Sequence, residues 1–173
     1  DDFYQKLISQ AMRNTDARIN NRQRVTPAFI YAALLWPALL EQRKQYTDKG
    51  DSPLYALQQA GSDAIQQQIK RTAIPRRFTT MMKEIWELQA RLNRRNGQNA
   101  ERVFSHPRFR AAYDFLLLRE QAGEQTQGLG EWWTLYQEVD EDEREAMVAA
   151  LPRPKSGNKR RRSRRKPKAD HAN

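Results

Sequence analysis

Asp140-Glu141-Asp142-Glu143 is the densest run of potential metal ligands in the sequence, and His106 and His171 are its two histidines. Phosphoryl-transfer metals need carboxylates held rigidly beside a phosphate cradle, and no glycine-rich loop accompanies these four. A plainer role fits them. Acids at a helix start complement its dipole, and Glu143 follows Asp140 at capping-box spacing. His106 stands before Pro107, where an N-cap belongs, so its expected role is structural. The absence of cysteine removes disulfides, thiol nucleophiles and cysteine-ligated zinc. The residues therefore assign no catalytic group, no metal site and no cofactor to this chain.

The cations carry a stronger signal. The 173 residues hold 31 basic and 21 acidic side chains, a net charge of +10. Residues 153–168 hold ten basic residues and no acid, so residues 1–152 are left with 21 basic against 20 acidic, about neutral. Within that remainder, residues 70–110 carry eleven basic and three acidic groups, whereas 111–152 carry two and ten. A basic tail, a basic middle and an acidic flank point to a polyanion as partner. Arginine's planar fork of donors matches phosphate oxygens, and such contacts read no base sequence. If about six tail cations met phosphates of a single strand, affinity would fall with log salt at a slope near −4.

Helices must position these groups. Leucine and alanine number 35 against 11 valine plus isoleucine, and no stretch alternates for long, which favours helix on propensity and period. Residues 3–13 read as a helix already under way. Thr26-Pro27 and Ser52-Pro53 are paired start signals. The first opens a helix apolar on nearly all faces, hence buried, with a kink expected at Pro37. The second opens a helix to about Arg71 with Leu54, Leu57, Ala64 and Ile69 inward and a weak point at Gly61. The 13-residue apolar run 28–40 is shorter than the roughly 18 a membrane span needs.

The clearest helix runs from Arg76 to Arg95 before Asn96-Gly97. At about 100° per residue, Phe78, Met81, Met82, Ile85, Trp86, Leu88 and Leu92 gather on one side. Arg76, Arg77, Lys83, Arg91, Arg94 and Arg95 gather on the other, faced only by Glu84 and Glu87, and Glu87 is spaced to pair with Lys83 or Arg91. A short turn at 100–104, a core helix that follows His106-Pro107 and runs to about Gln121, a stretch anchored by Trp132 and Trp133 to Val139, and a last helix to Ala150 complete the chain. The expected fold is all-α: an irregular bundle of about seven or eight helices over residues 1–152. Residues 153–173 offer almost nothing to bury and are expected to be a disordered basic tail.

Three blocks follow one another in order: NTDARINNRQRVTPAFIYAALLWPALL from Asn14, IPRRFTTMMKEIWELQARLNRR from Ile74, and HPRFRAAYDFLLLR from His106. Together, ahead of an arginine-rich tail, they resemble the C-terminal part of the bacterial poly(A) polymerases. That family lies within the class II nucleotidyltransferase superfamily, with the CCA-adding enzymes. The resemblance implies a helical body and arginine-rich tail that hold RNA 3′ ends, single-stranded and without regard to sequence. It also implies a separate N-terminal head with the magnesium-binding carboxylates and a neck that selects ATP. The head's motifs do not occur here, so no catalytic residue carries over and the chain alone is expected to be inactive. The matching cations are Arg76, Arg77, Arg91, Arg94, Arg95, Arg108 and Arg110, with the tail residues Lys159, Arg160, Arg161, Arg162, Arg164, Arg165 and Lys166. After Arg95 the family carries a glycine and further basic residues, whereas Gly97 here precedes Gln98 and Asn99.

The chain begins at Asp1 without methionine and reads as a piece of a longer cytoplasmic protein acting in RNA processing and decay, with RNA-decay proteins as further partners. Two rivals use the same residues. One is a stand-alone RNA-binding or RNA-chaperone protein, and the other a helical interaction module whose tail docks an acidic protein. A DNA-reading helix-turn-helix ranks below both, because the basic helix offers few amide side chains for base edges.

Overall fold

A computed structural model describes residues 2–153, and among them it forms eight helices and no strand. The elements are α1 (Asp2–Asn20), α2 (Pro27–Asp48), α3 (Pro53–Ile69), α4 (Arg76–Leu92), α5 (Asn99–Phe104), α6 (Phe109–Gln121), α7 (Leu129–Glu138) and α8 (Glu141–Ala149). The all-α reading and its helix number hold.

The proline start signals act as expected, with one difference. Ser52 Oγ accepts the Tyr55 N–H at 3.4 Å, whereas Thr26 occupies the N-cap position of α2 without a side-chain cap bond. Pro37 leaves the Ala33 carbonyl without its usual donor, yet α2 runs unbroken to Asp48. It is held from four sides, packing on α1, α3, α4 and α6. Ala28, Ala32, Ala33, Trp36 and Leu39 are buried, while Leu34 remains exposed.

Helix α3 departs from the sequence reading. Leu57 and Ala64 are buried, but Leu54 and Ile69 are exposed, and the inward positions belong instead to Ala56, Ala60, Gly61 and Ile65. Gly61 does not split the helix. It lies against Trp86 of α4, where an added Cβ would be 3.1 Å from Cε3. The Trp86 indole is fixed from the far side, its Nε1–H donating to the Ala32 carbonyl at 3.1 Å.

Two apolar clusters share α4 and α6. Met82, Ile85 and Trp86 of α4 pack with Phe115 and Leu118 of α6 and with α1–α3. Leu88 and Leu92 pack with Phe109, Ala112 and Leu116 of α6 and with α5 and α7. Trp36 and Phe115 meet edge-on at 5.4 Å in the first cluster, and Phe109 meets Trp133 at 5.4 Å in the second. A helix serving two cores must be apolar on most of its circumference, which is what the sequence of α6 shows.

Candidate nucleic-acid interface

Helix α4 ends at Leu92, three residues before the expected Arg95. The side chains around it explain why. In a continuing helix the Leu92 carbonyl would accept from the backbone four residues on; here it accepts the Trp133 Nε1–H at 3.0 Å. The Asn93 amide reaches back to the Gln89 carbonyl at 3.4 Å, offering the backbone a local alternative to the helix. Arg94 and Arg95 therefore lie in the connection to α5, past the helical strip.

The strip itself forms. Arg76, Arg77 and Lys83 are exposed, Arg94 is exposed just beyond it, and Arg91 is half-buried. None of these five has a carboxylate within ion-pair distance among the described residues. The two acids expected to quench them are engaged elsewhere. Glu84 pairs with Arg108 at 2.9 Å, and Glu87 accepts from Gln58 Nε2 at 3.3 Å instead of pairing along its own helix. Arg77 lies over the Phe78 ring at 4.6 Å. Arg95 is different: its guanidinium covers Trp132 at 4.8 Å, its Nε is buried without a partner, and burial pushes its pKa down.

Arg108 and Arg110 are also less free than their sequence suggests. Besides the Arg108–Glu84 pair, Arg110 Nε lies 3.5 Å from Asp114, which also accepts from Arg18 Nη2 at 3.0 Å. Burial raises the Asp114 pKa, with Arg110 and Arg18 pulling the other way. Together with Arg24, these arginines line a cavity of about 300 Å3 that Phe29 and Ile30 also line. Arg18 and Arg24 were missed from the sequence because they sit in an unremarkable polar stretch; only folding brings them beside Arg108. The tail cations Lys159, Arg160, Arg161, Arg162, Arg164, Arg165 and Lys166 lie outside the described residues.

The residues considered first for chemistry have structural work. Asp140 Oδ1 accepts the Glu143 N–H at 2.9 Å and caps α8. His106 is not the N-cap of α6, a place that Arg108 holds; its Nδ1 accepts the Arg108 N–H at 3.0 Å in the turn before the helix. Trp133 is buried, and Trp132 stacks on Tyr136 at 5.1 Å beneath Arg95, so neither presents a free face in the manner of a base-stacking platform. The Tyr136 hydroxyl donates to Glu101 at 3.1 Å, and burial with that bond pushes its pKa up to about 12. No helix among the described residues is long and apolar enough to cross a membrane.

Comparison with known proteins gives the same direction. Residues 49–167 match the family described as the polymerase A arginine-rich C-terminus. The chain is 38% identical over 175 aligned residues to poly(A) polymerase I of Salmonella typhi, covering 98% of this chain and 37% of that protein. It is 36% identical over 165 residues to poly(A) polymerase I of Escherichia coli O157:H7, covering 94% of this chain and 36% of that protein. For poly(A) polymerase I of Haemophilus influenzae the identity is 35% over 172 residues, with 96% and 38% covered. The chain thus spans little more than a third of the length of these relatives. The family match takes in α3 through α8, including every cation of the α4 strip, and on that ground the chain belongs to the family of the polymerase A arginine-rich C-terminus.

Proposed function

We propose that this chain is the RNA grip of a poly(A) polymerase. Its α4 strip and arginine-rich tail hold single-stranded RNA by the sugar-phosphate chain. The 3′ end is thereby presented to a catalytic head elsewhere in the same polypeptide, which adds adenylates from ATP. The observation that carries this reading is the set of five cations on and just after α4 with no acidic partner among the described residues. Unpaired surface cations in a row are an electrostatic footprint for a polyanion.

Template-free addition needs RNA held without regard to its sequence, and phosphate contacts supply that indifference. A cationic track joined to a basic arm also raises the local concentration of the strand, because each contact made brings the next within reach. Magnesium and ATP belong to the head in this reading. The acids of residues 140–143 do not fit a magnesium site, since Asp140 caps α8 and its neighbours fill the first helical turn. This chain's residues bind and orient RNA and take no part in bond making. The compartment is the cytoplasm, where the products enter RNA processing and decay.

The test is fluorescence anisotropy of labelled oligo(A) and oligo(U) against the wild-type chain and the Arg76→Ala/Lys83→Ala variant over a salt series. Two lost phosphate contacts should flatten the log–log slope by about 1.4, equally for both sequences. Failure of the wild-type chain to bind either oligonucleotide at low salt would refute the reading and favour an interaction module for acidic proteins. Adenylate incorporation by the isolated chain would refute it as well.

A further inference from the structure

A cleft of about 580 Å3 lies where the C-terminal half of α2, the start of α3 and the residues after Leu92 meet. Three cations line it, Arg43, Lys44 and Arg94, and no acid does. An adjoining cleft of about 340 Å3 shares Pro53, Ala90 and Arg94 and adds Arg91, with Glu87 as its one acid. Arg94 therefore stands on the ridge between the two, at the point where the α4 strip ends.

Arg43 is the informative residue. It is half-buried, and its guanidinium makes no ion pair or hydrogen bond with any described residue. Burial lowers its pKa, the nearby charge of Arg119 acts in the same direction, and Glu124 opposes them. A cation kept partly out of water without a counter-charge is unfavourable unless something else supplies the charge. That acid is already committed, since both Glu124 oxygens accept from Arg119, at 2.6 and 2.7 Å. Glu124 therefore compensates Arg43 only from a distance, and an anion seated in the cleft would complete the balance. A guanidinium fork and an ammonium facing one cleft match the oxygens of a phosphate.

We propose that this cleft is a second anion site of the grip, holding a backbone phosphate of the RNA between Arg43, Lys44 and Arg94. It deepens the RNA reading above and rests on it. The strand leaves the α4 strip past Arg91, crosses the Arg94 ridge and continues toward the C-terminal end of α2. Arg43 and Lys44 lie outside the cations that the sequence singled out, because Glu41-Gln42-Arg43-Lys44-Gln45 looks like an ordinary solvated turn of helix.

Binding of labelled oligo(A) by the 173-residue chain tests this directly. The Lys44→Glu variant, altered at an exposed position, and the Arg43→Gln/Lys44→Ala variant should each bind several-fold more weakly at low salt. The double variant should lose about 1.4 from the salt slope. Circular dichroism of each variant confirms that the helices persist, and Lys44→Glu remains decisive if Arg43→Gln disturbs the fold. If Arg76→Ala/Lys83→Ala weakens binding while neither cleft variant does, the second site is overturned and the grip stands. If the wild-type chain binds no oligonucleotide, the grip itself falls. In NMR spectra the Arg43 side-chain Nε–H should shift on adding oligo(A). A shift with inorganic phosphate and none with oligo(A) would make the cleft a small-anion site and overturn the assignment to RNA.

Discussion

Arg119 shows how much a single side chain can do in this fold. Only 9% of its side chain is exposed, and each of the three guanidinium nitrogens donates a hydrogen bond. It donates to Gln89 Oε1 at 2.8 Å and to both oxygens of Glu124, and it lies over the Trp36 ring at 5.4 Å. Gln89 extends the network to the Ala112 carbonyl at 3.1 Å, tying α4 to α6. Removing one partner from a buried, hydrogen-bonded pair costs more than the pair itself contributes, since the other charge is left without compensation. The Arg119→Ala variant should lose about 3 kcal/mol of unfolding free energy in urea. Arg119→Lys should recover only part of this, because an ammonium cannot reproduce the fork. A loss under about 1 kcal/mol would show that the network contributes little. The sequence marked α6 as a core helix but gave no sign that Arg119 lay inside it. A lone basic residue at a helix end reads as solvated until its partners are placed.

At the level of elements, α4 was the most legible and also the most instructive. Its apolar and cationic faces were visible at helical spacing, and Met82, Ile85, Trp86, Leu88 and Leu92 are buried as the pattern required. Its end was not visible, because the Trp133 indole that takes the Leu92 carbonyl comes from α7, 41 residues away. The pairing of Glu84 and Glu87 was likewise hidden. Spacing along one helix shows which charges can meet on that helix, and both acids found partners on other elements. Gly61 illustrates the same limit in α3. Helix propensity alone would favour alanine there by roughly 1 kcal/mol. The Cβ, however, would press on Trp86, whose indole is buried and anchored by its bond to the Ala32 carbonyl. Gly61→Ala should therefore lower the melting temperature, with a net loss of about 1 kcal/mol, since overpacking a tight core costs more than the propensity gains. A raised melting temperature would mean that Trp86 yields easily.

For the whole molecule, charge is partitioned in a way that shapes function. The body is nearly neutral overall, but cations without an acidic partner run along α4 and line the cleft at its end, as others do elsewhere on the surface, while acids fill the first turn of α8. The tail adds ten basic residues with no acid over residues 153–168. Deleting residues 153–173 should weaken RNA binding and bring the salt slope closer to zero by as much as about 4, leaving a shallower dependence from the body. An unchanged slope in a titration of truncated against intact chain would place the whole grip on the body. Composition, helix period and proline punctuation were enough to determine an all-helical body, the amphipathic character of α4 and the strongly basic composition of residues 153–168, because those properties depend on residues close together in the chain. Which cations remain unpaired was decided only in three dimensions. Asp114 and Glu84 pair with Arg18 and Arg108, 96 and 24 residues away, separations that no local pattern encodes, and Arg43 makes no ion pair because both Glu124 oxygens are taken by Arg119. Electrostatic pairing follows distance in space, and packing alone sets that distance.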